Sequence, residues 1–196
     1  MLKIGITGGI GTGKSIVCRI FELLGVPVYD SDHRAKQVMA CNPQLKEELI
    51  AAFGPKTFNE QGLDRTFLAK MVFHNAEKLQ LLNSLVHPRV KQDFVDWVSE
   101  NAGAPYVLKE AALMFETEAW RQVDKMITVY APLDIRMKRL LERDTHRTQT
   151  DLENIIAKQL PEEEKIRRAD YVVYNDDSQL VIPQVLALHK EFLSLA

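Results

Sequence analysis

The stretch GITGGIGTGKSIV, residues 5 to 17, places five glycines in thirteen positions, with a lysine and a serine among the last four. Gly8-Gly9-Ile10-Gly11-Thr12-Gly13-Lys14-Ser15 fits the phosphate-loop pattern G-x-x-x-x-G-K-[ST]. Glycine lets the backbone turn tightly and bring its N–H groups close to an anion. A helix starting at Lys14 adds unpaired N–H groups and a favourable dipole. In that setting Lys14 reaches the β and γ phosphates of a nucleotide and the Ser15 hydroxyl ligates Mg²⁺. A flexible turn that matches by chance is the bland alternative, and a strand before with a helix after argues against it.

A second group is VYDSDHRA. Asp30 and Asp32 follow an apolar strand whose C-terminal end belongs on the rim that carries the glycine loop, where ligands of open α/β sheets gather. A carboxylate there can accept a proton from an attacking hydroxyl or hold Mg²⁺ through water. Spacing supports equally well a helix cap at Ser31 or Asp32. His33 reads as a surface residue.

A third group is DIRMKRLLERDTHRT. A helix running through it sets Arg136, Arg139, Arg143 and Arg147 on one stripe, within about 80° at 100° per residue. Like charges four residues apart oppose each other, so the stripe makes better sense facing phosphates. The mixed charges of PEEEKIRRAD read instead as a solvated face, and Cys18 as a packed thiol. In NSLVHPRV, His87, Pro88 and Arg89 mark a helix start, with Pro88 in its first turn.

These residues need elements to position them. LKIGIT, VPVYD, PYVLKEA, DKMITVYA and DYVVYN read as five strands, with helices between. The first helix ends at Gly25. From Pro43 to Asn101 the pattern is helical throughout, in segments beginning at Pro43, Leu63, Glu77 and Pro88. Alternating strands and helices predict an α/β fold around a parallel sheet. The crossover of more than seventy residues between the second and third strands predicts a helical subdomain.

The 196 residues suit one domain, 46% hydrophobic and 27% charged, with a net charge of −2. No global basic field points to nucleic acid or an anionic membrane. Two cysteines without metal-like spacing argue against a disulfide scaffold or zinc site. With no signal-like or membrane-spanning run, the expected location is the cytoplasm.

Taken together, GITGGIGTGKS, GVPVYDSDHRAKQV, LDRTFL, VHPRV, ALMFE, VDKMITVYAP, RLLERD and KQLPEEEKIRRADYVVYN, in this order and spacing, resemble the dephospho-CoA kinase family over nearly the whole chain. The resemblance implies a P-loop kinase-like three-layer fold: a five-stranded parallel sheet, a helical acceptor insertion at about 36–101 and a lid at about 138–165, within a single domain. It implies transfer of the ATP γ-phosphoryl group to the ribose 3′-hydroxyl of dephospho-CoA. Asp32 matches the base, Gly11 to Ile16 the ATP-binding part of the loop, Arg143 and Arg147 the lid, and Asn175 a position near adenine. Arg65 and His87 match the acceptor segment, and Glu116 a rim contact. Many relatives carry proline where this chain has Ala112, preceded here by Lys109 and Glu110. Another small-metabolite or nucleoside monophosphate kinase would share loop, lid and base. A GTPase switch would need an N-K-x-D segment, and YAPLD and YNDD follow the last two strands instead.

Overall fold

The computed structural model describes residues 1–73 and 75–196. Position 74, within a stretch read as helical, lies outside the described residues. The chain divides into two compact units, Met1–Asp30 with Asn101–Ala196, and Ser31–Glu100.

The first unit is built on five parallel strands: β1 (Leu2–Thr7), β2 (Val28–Asp30), β5 (Tyr106–Glu110), β6 (Lys125–Tyr130) and β7 (Tyr171–Tyr174), in the order β2-β5-β1-β6-β7. The central strands are apolar on both faces, as a parallel sheet covered by helices requires. Ile4 and Ile6 of β1, Leu108 of β5 and Ile127 and Val129 of β6 share one core with Val17, Cys18 and Phe21 of α1 (Lys14–Leu23) and Val185 and Phe192 of α9 (Val181–Leu195). Burial, with the charge of Glu110, pushes the Cys18 thiol up, which fits a packing role. Helix α1 ends in the turn around Gly25, where Val26 N–H reaches the Phe21 carbonyl at 3.1 Å. A smaller cluster of Ala111, Met114, Phe115 and Met126 packs beyond the end of β5. Three helices separate β6 from β7: α6 (Leu133–Arg143), α7 (Gln149–Ala157) and α8 (Glu162–Arg168).

The second unit contains α2 (Ser31–Cys41), α3 (Pro43–Phe53), α4 (Arg65–Phe73) and α5 (Ala76–Glu100), around Leu45, Leu49, Phe53, Leu68 and Val86. It is not helical throughout. A 3₁₀ turn at Pro55–Thr57 and a hairpin of β3 (Phe58–Asn59) and β4 (Gly62–Leu63) interrupt it. Asn59 organises the hairpin by accepting from Gln61 N–H at 2.8 Å, and Asp64 caps α4 through Phe67 N–H at 2.8 Å.

The expected helix start at Pro88 is also corrected, because Pro88 lies inside the continuous helix α5. Proline removes one backbone donor and crowds the preceding turn. Here the Arg89 guanidinium donates to the neighbouring Leu85 carbonyl at 3.1 Å and pairs with Glu48 of α3 at 2.5 Å. Among the described residues, no helix is long and apolar enough to cross a membrane.

Candidate active site

The glycine loop runs from the C-terminal end of β1 to the N-terminus of α1. Thr12 folds it by donating its hydroxyl to the Gly9 carbonyl at 2.9 Å and its N–H to the same oxygen at 3.2 Å. Gly13 enters α1 with φ of 87°, a left-handed conformation that disfavours other residues. A Cβ at Gly13 would also lie 2.2 Å from Asn175 Nδ2, which donates to the Thr12 carbonyl at 2.8 Å. The N–H groups of Gly11, Gly13, Lys14 and Ser15 have no protein acceptor among the described residues. Those donors and the helix dipole make an anion cradle.

The loop forms one wall of a cleft of about 750 Å³. Its other walls come from Ala112 and Leu113 after β5, Arg139, Leu140 and Arg143 of α6, and Ile155, Lys158 and Gln159 around the end of α7. Lys14 is ion-paired with Glu110, which closes β5 opposite Ile6 of β1 and Asp30 of β2. Both side chains are largely buried, so Lys14 is held beside the loop rather than free in solvent.

The four arginines do not form one helical stripe. Helix α6 ends at Arg143, with Asp144 as its cap. Asp144 accepts from Arg143 Nε at 2.8 Å and lies 3.6 Å from Arg147, which is outside the helix. Its hydrogen bond to Arg143 holds the Asp144 carboxyl below the usual carboxylate range. A capping box between Thr148 and Asp151 then starts α7, so the chain turns where the stripe would have continued. Arg139 donates to the Asn175 carbonyl at 2.9 Å. Arg136 is 4% exposed and donates to the Ile10 carbonyl at 2.8 Å. Among the residues lining the cleft, Arg143 is present and Arg147 is not.

The solvated reading of PEEEKIRRAD fails at two positions. Glu162 and Lys165 are buried, and the Glu162 carboxylate sits between Lys165 at 3.0 Å and Arg136 at 3.4 Å. Glu162 accepts from Gly9 N–H at 3.5 Å, and Gln159 accepts from Ile10 N–H at 2.9 Å. Sequence reasoning missed Glu110, Gln159 and Glu162 at the loop; the i,i+3 spacing of Glu162 and Lys165 was the one local signal. Glu116 accepts from Leu160 N–H at 2.7 Å and so bears on the same segment.

In the other unit, Asp32 stands exposed in the first turn of α2, two residues past the end of β2. Ser31 Oγ is buried without a hydrogen-bond partner among the described residues, so it does not cap the helix. Arg65 opens α4, beside a cavity of about 550 Å³ that it lines with Lys70 and Phe73. His87 lies on α5, which packs against α4. His87 is exposed overall, and partial desolvation lowers its pKa. No group of three or more His, Cys, Asp or Glu side chains able to hold a metal occurs among the described residues.

Comparisons with known proteins identify the family. A family model described as dephospho-CoA kinase matches residues 2–180. The dephospho-CoA kinase of Bacteroides fragilis is 38% identical over 187 residues, covering 95% of this chain and 91% of that protein. That of Porphyromonas gingivalis is 36% identical over 188 residues, covering 96% and 93%. Among solved structures, a Thermus thermophilus protein superposes with a TM-score of 0.85 at 34% identity, covering 97% of each chain. The dephospho-CoA kinase of Campylobacter jejuni superposes with a TM-score of 0.73 at 24% identity, covering 98% of this chain and 97% of that one, and bears on the fold alone. With its glycine loop, its strand order and a match along most of its length, the chain belongs to the dephospho-CoA kinase family.

Proposed function

We propose that the protein transfers the γ-phosphoryl group of ATP to the ribose 3′-hydroxyl of dephospho-CoA, releasing CoA and ADP, the last step of coenzyme A biosynthesis. The observation that carries this reading is the convergence of unpartnered loop donors with Lys14 and Arg143 on one cleft, in a chain of this family. Phosphoryl transfer asks a protein mainly for positioning and charge neutralisation.

Gly11 to Ile16 hold the ATP phosphates, and Lys14 exchanges Glu110 for phosphate oxygens as they arrive. Arg143 neutralises charge on the transferring group from the cleft wall, and Arg147 joins it when the 138–165 segment closes as a lid. Asn175 lies near adenine while holding the loop. Asp32 orients the 3′-hydroxyl and takes its proton as the oxygen attacks phosphorus and the bond to ADP breaks. Arg65, His87 and Glu116 serve acceptor binding. Ser15 would supply a hydroxyl ligand to Mg²⁺, which when bound would offset phosphate charge. The helical insertion is the acceptor part of one catalytic domain, and the enzyme works in the cytoplasm.

The test is ADP release from Mg²⁺-ATP with no acceptor, dephospho-CoA, AMP, adenosine or shikimate. The expected result is release that depends on dephospho-CoA, with a product of the mass of CoA. Turnover with AMP or shikimate instead would keep the fold and overturn the acceptor.

A further inference from the structure

The glycine loop has two halves with different partners. The trailing half offers its donors to the cleft, whereas the leading half, Gly9 and Ile10, is tied to protein on both sides. Gly9 N–H points to Glu162 Oε2 at 3.5 Å, Ile10 N–H donates to Gln159 Oε1 at 2.9 Å, and the Ile10 carbonyl accepts from Arg136 Nε at 2.8 Å. Behind these bonds the Glu162 carboxylate is held between Arg136 and Lys165, with the side chains only 10%, 4% and 0% exposed. The fit is close: a Cβ at Gly9 would lie 2.4 Å from Glu162 Oε1 and 2.5 Å from Arg136 Nη2.

A buried ion cluster is weak evidence for stability, since well-packed apolar side chains of similar volume often serve as well or better. What apolar side chains cannot supply is the acceptor that Glu162 gives Gly9 N–H and Gln159 gives Ile10 N–H.

We propose that Glu162 and Gln159 are positioning residues for nucleotide binding. They fix the leading half of the loop so that the N–H donors of Gly11, Gly13, Lys14 and Ser15 stay convergent on the phosphates. The inference rests on the reading that this half of the loop binds nucleotide.

The test compares Glu162→Leu, Glu162→Gln, Gln159→Leu and the parent enzyme. Mg²⁺-ADP affinity is measured by calorimetry, KM for ATP and for dephospho-CoA by kinetics, and stability by urea unfolding. Both leucine variants are expected to weaken Mg²⁺-ADP at least tenfold and raise KM for ATP in step, with KM for dephospho-CoA within twofold. Glu162→Gln, which keeps an acceptor oxygen for Gly9 N–H, is expected to stay within threefold. Leucine variants that bind Mg²⁺-ADP within twofold of the parent, shifting only the urea midpoint, would overturn the proposal. Equal increases in both KM values would overturn it too. Should Glu162→Leu fail to fold, Gln159→Leu decides. A parent enzyme that does not bind Mg²⁺-ADP refutes the nucleotide reading itself.

Discussion

Lys14 is paired with Glu110 in the structure, and the proposed reaction requires it to turn to phosphate oxygens instead. Lys14→Ala is expected to lower kcat/KM for ATP by roughly 100-fold or more, the scale of losing one strong donor to developing charge. Steady-state kinetics with a circular dichroism control checks this, and unchanged turnover would remove the loop from the mechanism. Asp32→Asn is expected to lower kcat by about 10²–10⁴-fold, the usual range for a general base, with Mg²⁺-ATP affinity nearly unchanged. Loss of thermal stability alone would mean that Asp32 supports its helix and not the reaction. The loop was legible in the sequence because its glycines, lysine and serine are neighbours. Glu110, Gln159 and Glu162 were not, since they contact the loop across 96, 149 and 153 residues. Lys109 adds a pH effect. It is 2% exposed, and burial lowers its pKa from 10.5 to about 8. Between those pH values the unfolded chain holds the extra proton, so stability rises with pH, approaching a total on the order of 3 kcal/mol. Urea midpoints from pH 7 to 10 should rise for the parent and flatten for Lys109→Met. Above pH 10 the trend turns, because Tyr106 is raised by burial and Tyr171 is pushed up to about 12 by Glu191.

At the scale of elements, the five core strands and the first helix followed from their apolar runs and the glycine signals at their ends. Where the reading failed, a local rule was overridden or overlooked. The hairpin at Phe58–Leu63 was signalled by Asn59 and Gly62 but hidden among amphipathic segments. Pro88 read as a helix start because proline suits a first turn, yet Arg89 supplies a donor next to the broken turn and packing carries α5 through it. Pro88→Ala is expected to stabilise the fold by about 1–3 kcal/mol by restoring an interior hydrogen bond. Thermal unfolding checks the sign, and a decrease would mean that the proline bends α5 into a shape its neighbours need.

At the scale of the whole molecule, the two units have cores of different size. The sheet unit buries residues from strands and helices on a continuous apolar layer, whereas among the described residues of Ser31–Glu100 the core is the smaller cluster of Leu45, Leu49, Phe53, Leu68 and Val86 with partly buried neighbours. Native-state hydrogen exchange should therefore show the amides of α3, α4 and α5 opening at lower free energy than those of β1, β5 and β6. Equal protection would mean that the chain opens as one cooperative body. The strand order has a further consequence for synthesis. Strand β1 lies at the centre of the sheet, but its neighbours β5 and β6 begin only at Tyr106 and Lys125. At about 5–20 residues per second, the ribosome needs roughly 6–25 s to make that intervening chain. Until both have been made, the apolar strand that leads into the glycine loop lacks one or both of its pairing partners. Nascent chains arrested before Lys125 should thus recruit holding chaperones through their first seven residues, and those arrested past Asn175 should release them.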